Sequence, residues 1–212
     1  MAISRRRILG TGAPLLLAVF AAERGQAQPL GGTALISALR RGGLVLVMRH
    51  ANSPPNPPEN GTAEPANIRQ ERQLDDAGRK SAAAMGDALK ILHIPVGQVW
   101  SSPAYRACET IQLASLGVPR IVPELAEGAK DMQSSSDLSR VAWLRTKTTQ
   151  APKAGTNIII VTHLPNIVGA FGQSAAGMTS GESLVFHPDG NGGGHLVARI
   201  KIDEWANLSK QP

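Results

Sequence analysis

Two short runs of apolar, β-forming residues constrain the fold of this 212-residue chain most strongly. Residues 44–48 read LVLVM and residues 157–161 read NIIIV, so neither run shows the polar alternation of a strand with one face in water. Strands of this kind are typical of parallel sheets that helices cover on both faces. We therefore predict an α/β architecture with both runs inside the sheet.

Helical and strand-like segments alternate around these two runs. Predicted helices cover 34–41 (with Thr33 as N-cap), 74–92, 103–115 and 137–148, and Pro165 opens a further one. Additional strands are predicted at 96–100, 120–122, 183–186 and 194–202, and five prolines between residues 52 and 65 predict a loop. The alternation predicts one domain with three layers, a mostly parallel central sheet between two layers of helices.

The first 27 residues have the layout of an export signal. An arginine cluster at 5–7 precedes an apolar stretch at 15–22, and small residues precede a cleavage point after Ala27. The paired arginines resemble a twin-arginine signal, and the apolar stretch is shorter than the roughly 20 residues that a membrane-spanning helix needs. We predict a signal peptide over 1–27 and a periplasmic or secreted domain over 28–212, without stable membrane insertion.

Composition argues against nucleic-acid binding once the leader is counted separately. The whole chain carries a net charge of +6, but the part after residue 27 has 18 basic and 15 acidic side chains. The whole chain has seven aromatic residues, which are few for a surface on which nucleic-acid bases stack. The single cysteine, Cys108, forbids an intrachain disulfide, and the spacing of the histidines indicates no metal site.

Polar residues follow three of the predicted strands. Arg49-His50 follows the first, Ser101-Ser102 the second with Arg106 one helical turn later, and Thr162-His163 follows the strand at 157–161. Because the carboxyl ends of parallel strands meet at one edge of a sheet, we expect these side chains to converge on one pocket. Two arginines and two histidines are costly to bury without an anion, and arginine forks match phosphoryl oxygens. The sequence therefore predicts a phosphoryl-group site.

These residues resemble the motifs of the histidine phosphatase, or phosphoglycerate mutase-like, superfamily. The matching segments are Val47 to Ala51, Ser101 to Pro103 with Arg106 and Thr110, Val161 to His163, and Gly181-Glu182 before a strand. They stand in the family's order and span nearly all of 28–212. Within the superfamily the chain is similar to the compact branches, which include exported heptose phosphatases of the lipopolysaccharide core and small phosphohistidine phosphatases.

The resemblance implies a role for each matching residue. His50 would be the phosphorylated nucleophile, Arg49 and Arg106 ligands of the phosphoryl group, and His163 a further stabilising ligand. Arg72, in the run before the helix at 74–92, would be another substrate contact. The resemblance implies a small phosphorylated substrate, and the chemistry requires no metal or cofactor.

Two departures from the family pattern bear on the mechanism. Ala51 stands where members often have glycine, which is tolerated if the backbone φ there is negative. Leu164 follows the second histidine, where phytase-like relatives have an aspartate that donates a proton, so phytase-like activity is disfavoured. Mutase-type relatives use a glutamate after the third strand, and Glu124 and Glu127 both lie there. We expect Glu124 to be the better placed, and an absent proton donor is the remaining alternative.

We therefore expect an exported phosphatase that hydrolyses a phosphomonoester or a phosphoramidate through phospho-His50. The alternative is a catalytically inactive envelope protein that uses the same pocket to bind phosphorylated sugars or lipid headgroups. A mutase is disfavoured because the chain lacks the large insertions that build a second substrate site.

Overall fold

The computed structural model describes residues 29–54, 71–129 and 133–210. The predicted signal and most of the predicted proline-rich loop lie outside these residues. The helices are α1 Gly32–Arg41, α2 Asp76–Ile91, α3 Tyr105–Leu113, α4 Ser135–Thr148, α5 Leu164–Phe171 and α6 Glu204–Leu208. The strands are β1 Val45–Arg49, β2 Val96–Ser101, β3 Arg120–Ile121, β4 Asn157–Thr162, β5 Ser183–Pro188 and β6 Gly194–Ile200. Across the described ranges, no helix is both long and apolar enough to span a bilayer.

The strands form one six-stranded sheet in the order β3-β2-β4-β1-β5-β6. Strands β1 and β4 pair in parallel, as do β4 with β2 and β2 with β3. Strand β5 is antiparallel to β1, and β6 is antiparallel to β5. All strands but β5 therefore run in one direction, which confirms the predicted mostly parallel α/β sheet.

The two apolar runs lie side by side in the interior of the sheet, as predicted. Their alternating side chains divide between two buried clusters on opposite faces. Leu46, Met48 and Ile159 pack in the cluster that includes side chains of α1, α2, α3 and α6. Val47 and Ile160 pack in the other cluster, with side chains of α4 and α5. Burial on both faces explains why neither run needs polar residues.

Several helix boundaries differ from the prediction. Helix α1 begins after Gly31, so Thr33 lies inside the helix and the prediction of Thr33 as its N-cap is wrong. Helix α2 begins at Asp76 because the Asp75 side chain accepts a hydrogen bond from the backbone N of Gly78 and caps the helix. Helix α6 was not predicted, and its Trp205 is buried against the core.

A glycine lets α2 approach the residues that follow β1. A Cβ atom at Gly78 would lie 2.1 Å from the carbonyl oxygen of Asn52, so no other residue fits there without a shift of backbone. The same oxygen accepts a hydrogen bond from the backbone N of Asp75 at 3.2 Å. The start of α2 is thereby fixed against the backbone two residues after His50.

Candidate active site

The sheet brings three polar strand ends together at one edge. Arg49 is in register with Thr162, and Ser101 with Val161. Beyond these pairs, the backbone N of His50 donates to the carbonyl oxygen of Thr162 at 3.1 Å. Because β2, β4 and β1 are neighbours, the residues after their carboxyl ends lie close to one another, as the sequence predicted.

His50 is buried and held in one orientation by both of its ring nitrogens. Its Nδ1 lies 2.8 Å from the carbonyl oxygen of Ala51, and its Nε2 lies 3.1 Å from Nε of Arg106. A carbonyl oxygen only accepts and a guanidinium only donates, so Nδ1 carries the proton and Nε2 the lone pair. The ring is therefore a neutral imidazole whose nucleophilic nitrogen faces Arg106.

The backbone after His50 is fixed by a hydroxyl group from α3. The N–H of Ala51 donates to Oγ1 of Thr110 at 3.1 Å, and that hydroxyl donates to the carbonyl oxygen of Arg106 at 2.8 Å. Among the described non-glycine residues, positive φ occurs at His93 and Ser115 and not at Ala51. Alanine is therefore accommodated where members of the family often have glycine.

His163 lies beside His50, with the ring centroids 5.3 Å apart. Its Nδ1 lies 3.0 Å from Nη2 of Arg106, and its Nε2 lies 2.7 Å from Oγ of Ser102. By the same argument Nδ1 accepts from Arg106, and Nε2 donates to Ser102. The sequence predicted the place of His163 but not that Ser102 orients it.

Both imidazoles are kept neutral by their surroundings. Burial is the main cause that lowers the pKa of His50 to about 3; the hydrogen bond to Ala51 opposes it, and the charges of Arg106 and Arg49 add to it. Burial also lowers the pKa of His163 well below its ordinary value, with the charge of Arg106 as the second cause. A positive environment of this kind favours an anionic ligand.

Three arginines supply the positive charge. Arg106 is almost fully buried, and burial is the main cause that lowers its pKa. The charge of Arg72 acts on Arg49, Arg106 and both histidines, which places Arg72 beside the site. The Nε atoms of Arg49 and Arg72 are buried without a hydrogen-bond partner. Unpaired buried donors are costly, so these atoms favour a ligand with acceptor oxygens.

Glu127 brings a carboxylate into direct contact with the site. Its Oε2 accepts from Nη2 of Arg106 at 2.6 Å, and its Oε1 lies 3.9 Å from Nδ1 of His163. Glu124 instead lines a separate cleft with Trp100 and Lys147. The expectation that Glu124 is the better placed is therefore corrected. A 3₁₀ turn over Pro123–Leu125 follows β3 and changes the direction of the chain. As a result Glu127, and not Glu124, contacts Arg106.

Glu182 supports the site from its edge. Its carboxylate accepts from Nε of Arg199 at 2.8 Å and from the backbone N of Thr179 at 2.9 Å. Its carbonyl oxygen accepts from the backbone N of Arg49 at 3.1 Å. Glu182 therefore fixes the start of β5 against the end of β1.

Comparison with known proteins identifies the family. The sequence profile of the histidine phosphatase superfamily (branch 1) matches residues 45–155, and the chain belongs to this superfamily. It is a phosphatase, an enzyme of the hydrolase class. No curated protein shows significant sequence similarity to the chain.

Solved structures share the fold. The protein histidine phosphatase SixA complexed with tungstate is 18% identical, with a TM-score of 0.54 over 76% of this chain and 98% of that chain. The open reading frame Rv3214 product from Mycobacterium tuberculosis is 20% identical, with a TM-score of 0.51 over 74% of this chain and 96% of that chain.

The neutral state of His50 predicts how stability depends on pH. The unfolded chain restores the ordinary pKa of 6.5, so between 6.5 and about 3 it binds a proton that the folded site does not. The contribution of His50 to the free energy of unfolding is therefore complete above pH 6.5 and is lost as the pH falls towards 3. The loss reaches at most about 1.4 kcal/mol per pH unit.

Replacement His50→Asn should make the decrease in stability between about pH 7 and about pH 4.5 shallower, as measured by urea denaturation. His93→Asn is the matched control for loss of a histidine, because His93 is exposed and asparagine tolerates its positive φ. An identical pH dependence of wild type and His50→Asn would contradict a neutral, buried His50.

Proposed function

We propose that this phosphatase hydrolyses small phosphorylated substrates through a phosphohistidine intermediate on His50. One observation carries the proposal: Nε2 of His50 bears a lone pair and faces Arg106, while the carbonyl oxygen of Ala51 holds Nδ1–H. A nucleophile in this state needs no separate base to activate it. Arg106 and Arg49 are the charged donors that would bind the group under attack.

In the first step Nε2 of His50 attacks phosphorus, and the bond between phosphorus and the leaving group breaks. The leaving group keeps the electron pair and takes a proton from the Glu127 carboxyl. The hydrogen bond from Nδ1 to Ala51 stabilises the positive charge that develops on the ring. Arg49 and Arg106 bind the phosphoryl oxygens throughout, and His163 joins them once its Nδ1 takes up a proton beside the negatively charged group.

In the second step water attacks the phosphorus of phospho-His50. The N–P bond breaks, its electron pair returns to Nε2, and inorganic phosphate is released. Glu127 accepts the proton of the attacking water, which restores the carboxyl group for the next turnover. No metal or cofactor takes part in either step.

Glu127 and the phosphoryl group compete for the same guanidinium. In the free protein the carboxylate pairs with Nη2 of Arg106, and this arginine also contacts both histidines. Phosphoryl oxygens that bind Arg106 would stand next to the carboxylate, and a proton on the carboxyl relieves the repulsion between them. Substrate binding thus prepares Glu127 to donate a proton.

Loss of the nucleophile should abolish turnover. We expect His50→Ala to reduce kcat for 4-nitrophenyl phosphate by at least about 10³-fold. Wild type quenched in acid-free denaturant during turnover of a radiolabelled ester should carry label on His50, and the variant none. Inorganic phosphate should still bind the variant, because Arg49, Arg106 and His163 remain. If wild type binds phosphate but neither turns over nor becomes labelled, the protein is the inactive envelope binder.

The identity of the proton donor is tested by Glu127→Gln. We expect kcat/KM, which reports only the first step, to fall by about 10²–10⁴-fold for alkyl phosphates, which need a proton on the leaving group, and far less for dinitrophenyl phosphate or a phosphoramidate. Inorganic phosphate should inhibit the variant more strongly, because a competing negative charge is gone. Glu124→Gln is the matched control. A fall in alkyl-phosphate turnover in Glu124→Gln alone would assign the proton to Glu124 instead.

We further propose that the enzyme acts outside the cytoplasm after removal of residues 1–27. Support comes from the arginine cluster, the short apolar stretch and the small residues before Gln28. Protein expressed from the whole sequence in a bacterium with twin-arginine export should appear in the periplasm with Gln28 at its N-terminus. Paired Arg5→Lys and Arg6→Lys replacements should leave it in the cytoplasm. A cytoplasmic wild-type protein that retains residues 1–27 would contradict export.

A further inference from the structure

The chain segment that carries Glu127 depends on side chains from elsewhere for its position. The 3₁₀ turn ends at Leu125, so Glu127 lies beyond any helix or strand. Its carboxylate nevertheless has to meet both Arg106 and His163. Two buried polar side chains, Thr162 and Asn166, bond the backbone of this segment.

Asn166 bonds the residues on both sides of Glu127. Its Nδ2 donates to the carbonyl oxygen of Ala126 at 2.8 Å, and its Oδ1 accepts from the backbone N of Gly128 at 2.8 Å. The side chain is 1% exposed, so water does not compete for these bonds. The position requires a donor and an acceptor on one short side chain, which asparagine provides.

Thr162 reinforces the same contact. Its Oγ1 donates to the carbonyl oxygen of Leu125 at 2.8 Å and accepts from Nδ2 of Asn166 at 3.2 Å. Thr162 directly precedes His163, and Asn166 lies in the first turn of α5 just after it. The five residues 162–166 therefore include His163 and the two side chains that bond the segment of Glu127.

We propose that Asn166, assisted by Thr162, is a positioning residue that sets the Glu127 carboxyl against the leaving group. This proposal rests on the proposed role of Glu127 as proton donor. Residues 162–166 carry both His163 and the two side chains that bond the segment of Glu127. The distance between the Glu127 carboxyl and the phosphoryl group is therefore fixed, even though that segment is neither helix nor strand. The hydrogen bonds of the Asn166 side chain go to the backbone of residues 125, 126 and 128 and to Thr162.

The inference predicts a selective defect in Asn166→Ala. A displacement of about 1 Å at a reacting group costs on the order of 10²-fold in rate. We therefore expect kcat/KM, which reports only the first step, to fall by about 10–10²-fold for an alkyl phosphate relative to dinitrophenyl phosphate. A purely structural role would lower the activity on both substrates together.

Asn157→Ala is the matched control. Asn157 is a buried amide at the opposite end of β4, where its Nδ2 donates to the carbonyl oxygens of Leu39 and Pro95 and its Oδ1 accepts from the backbone N of Leu44. Its loss removes a similar set of hydrogen bonds far along the strand from the site. We expect it to lower the melting temperature and to leave the ratio of the two kcat/KM values unchanged.

A double-mutant cycle with Glu127→Gln separates the two proposals. In the Glu127→Gln background, Asn166→Ala should add no further selectivity, because the group that it positions is gone. If Glu127→Gln itself shows no selectivity against alkyl phosphates, the proposed function of Glu127 is wrong. If Glu127→Gln is selective but Asn166→Ala impairs both substrates equally, or its selective effect persists in the double variant, the positioning role is wrong.

Thr162→Val keeps the test decisive if Asn166→Ala does not fold. Valine matches the shape of threonine and suits a strand, but it removes the donor to Leu125. We expect the same selective fall in alkyl-phosphate turnover, smaller than for Asn166→Ala. An unchanged ratio of the two kcat/KM values in a folded Thr162→Val variant would contradict the inference.

Discussion

The guanidinium of Arg106 is the group on which the site depends. It contacts Nε2 of His50 and Nδ1 of His163, which are both buried, and the carboxylate of Glu127, whose side chain is 43% exposed. Because a guanidinium stays charged and only donates, both rings must turn a lone pair towards it. Its charge adds to burial in lowering the pKa of His50, and the same side chain orients the second imidazole. A phosphoryl group bound here would neutralise that charge.

The order of the strands brings the residues of the site together. Strands β2, β4 and β1 are adjacent, so Ser102, His163 and His50 follow three neighbouring strand ends without any long loop between them. Helix α3 begins shortly after β2, and Arg106 in its first turn lies at the same edge of the sheet. Thr110 on that helix fixes the backbone after His50. Burial of charge and of unpaired donors at the site destabilises the folded protein. Burial of apolar side chains in the two clusters on either face of the sheet offsets this destabilisation.

Much of this could be predicted from sequence because the signals are local. Apart from Asn157, the runs at 44–48 and 157–161 are apolar, and that pattern determines both their place in the sheet and the edge at which Arg49-His50 and Thr162-His163 meet. The choice between Glu124 and Glu127 could not be made from spacing. It depends on a 3₁₀ turn of three residues and on hydrogen bonds from Asn166, which lies about forty residues away in the chain. The role of Ser102 towards His163 is likewise a contact between distant segments that no local pattern records.

We propose that two imidazoles and two guanidiniums, from three separate segments of the chain, surround a single tetrahedral anion. A crystal structure of the protein with orthovanadate tests it most directly, because vanadate binds phosphoryl-transfer sites and can bond the attacking nitrogen. The account predicts vanadium bonded to Nε2 of His50, with its oxygens hydrogen-bonded to Arg49, Arg106 and His163 and the Glu127 carboxyl beside the position opposite His50. Vanadate bound away from His50, or bound without contact to Arg106, would contradict the account.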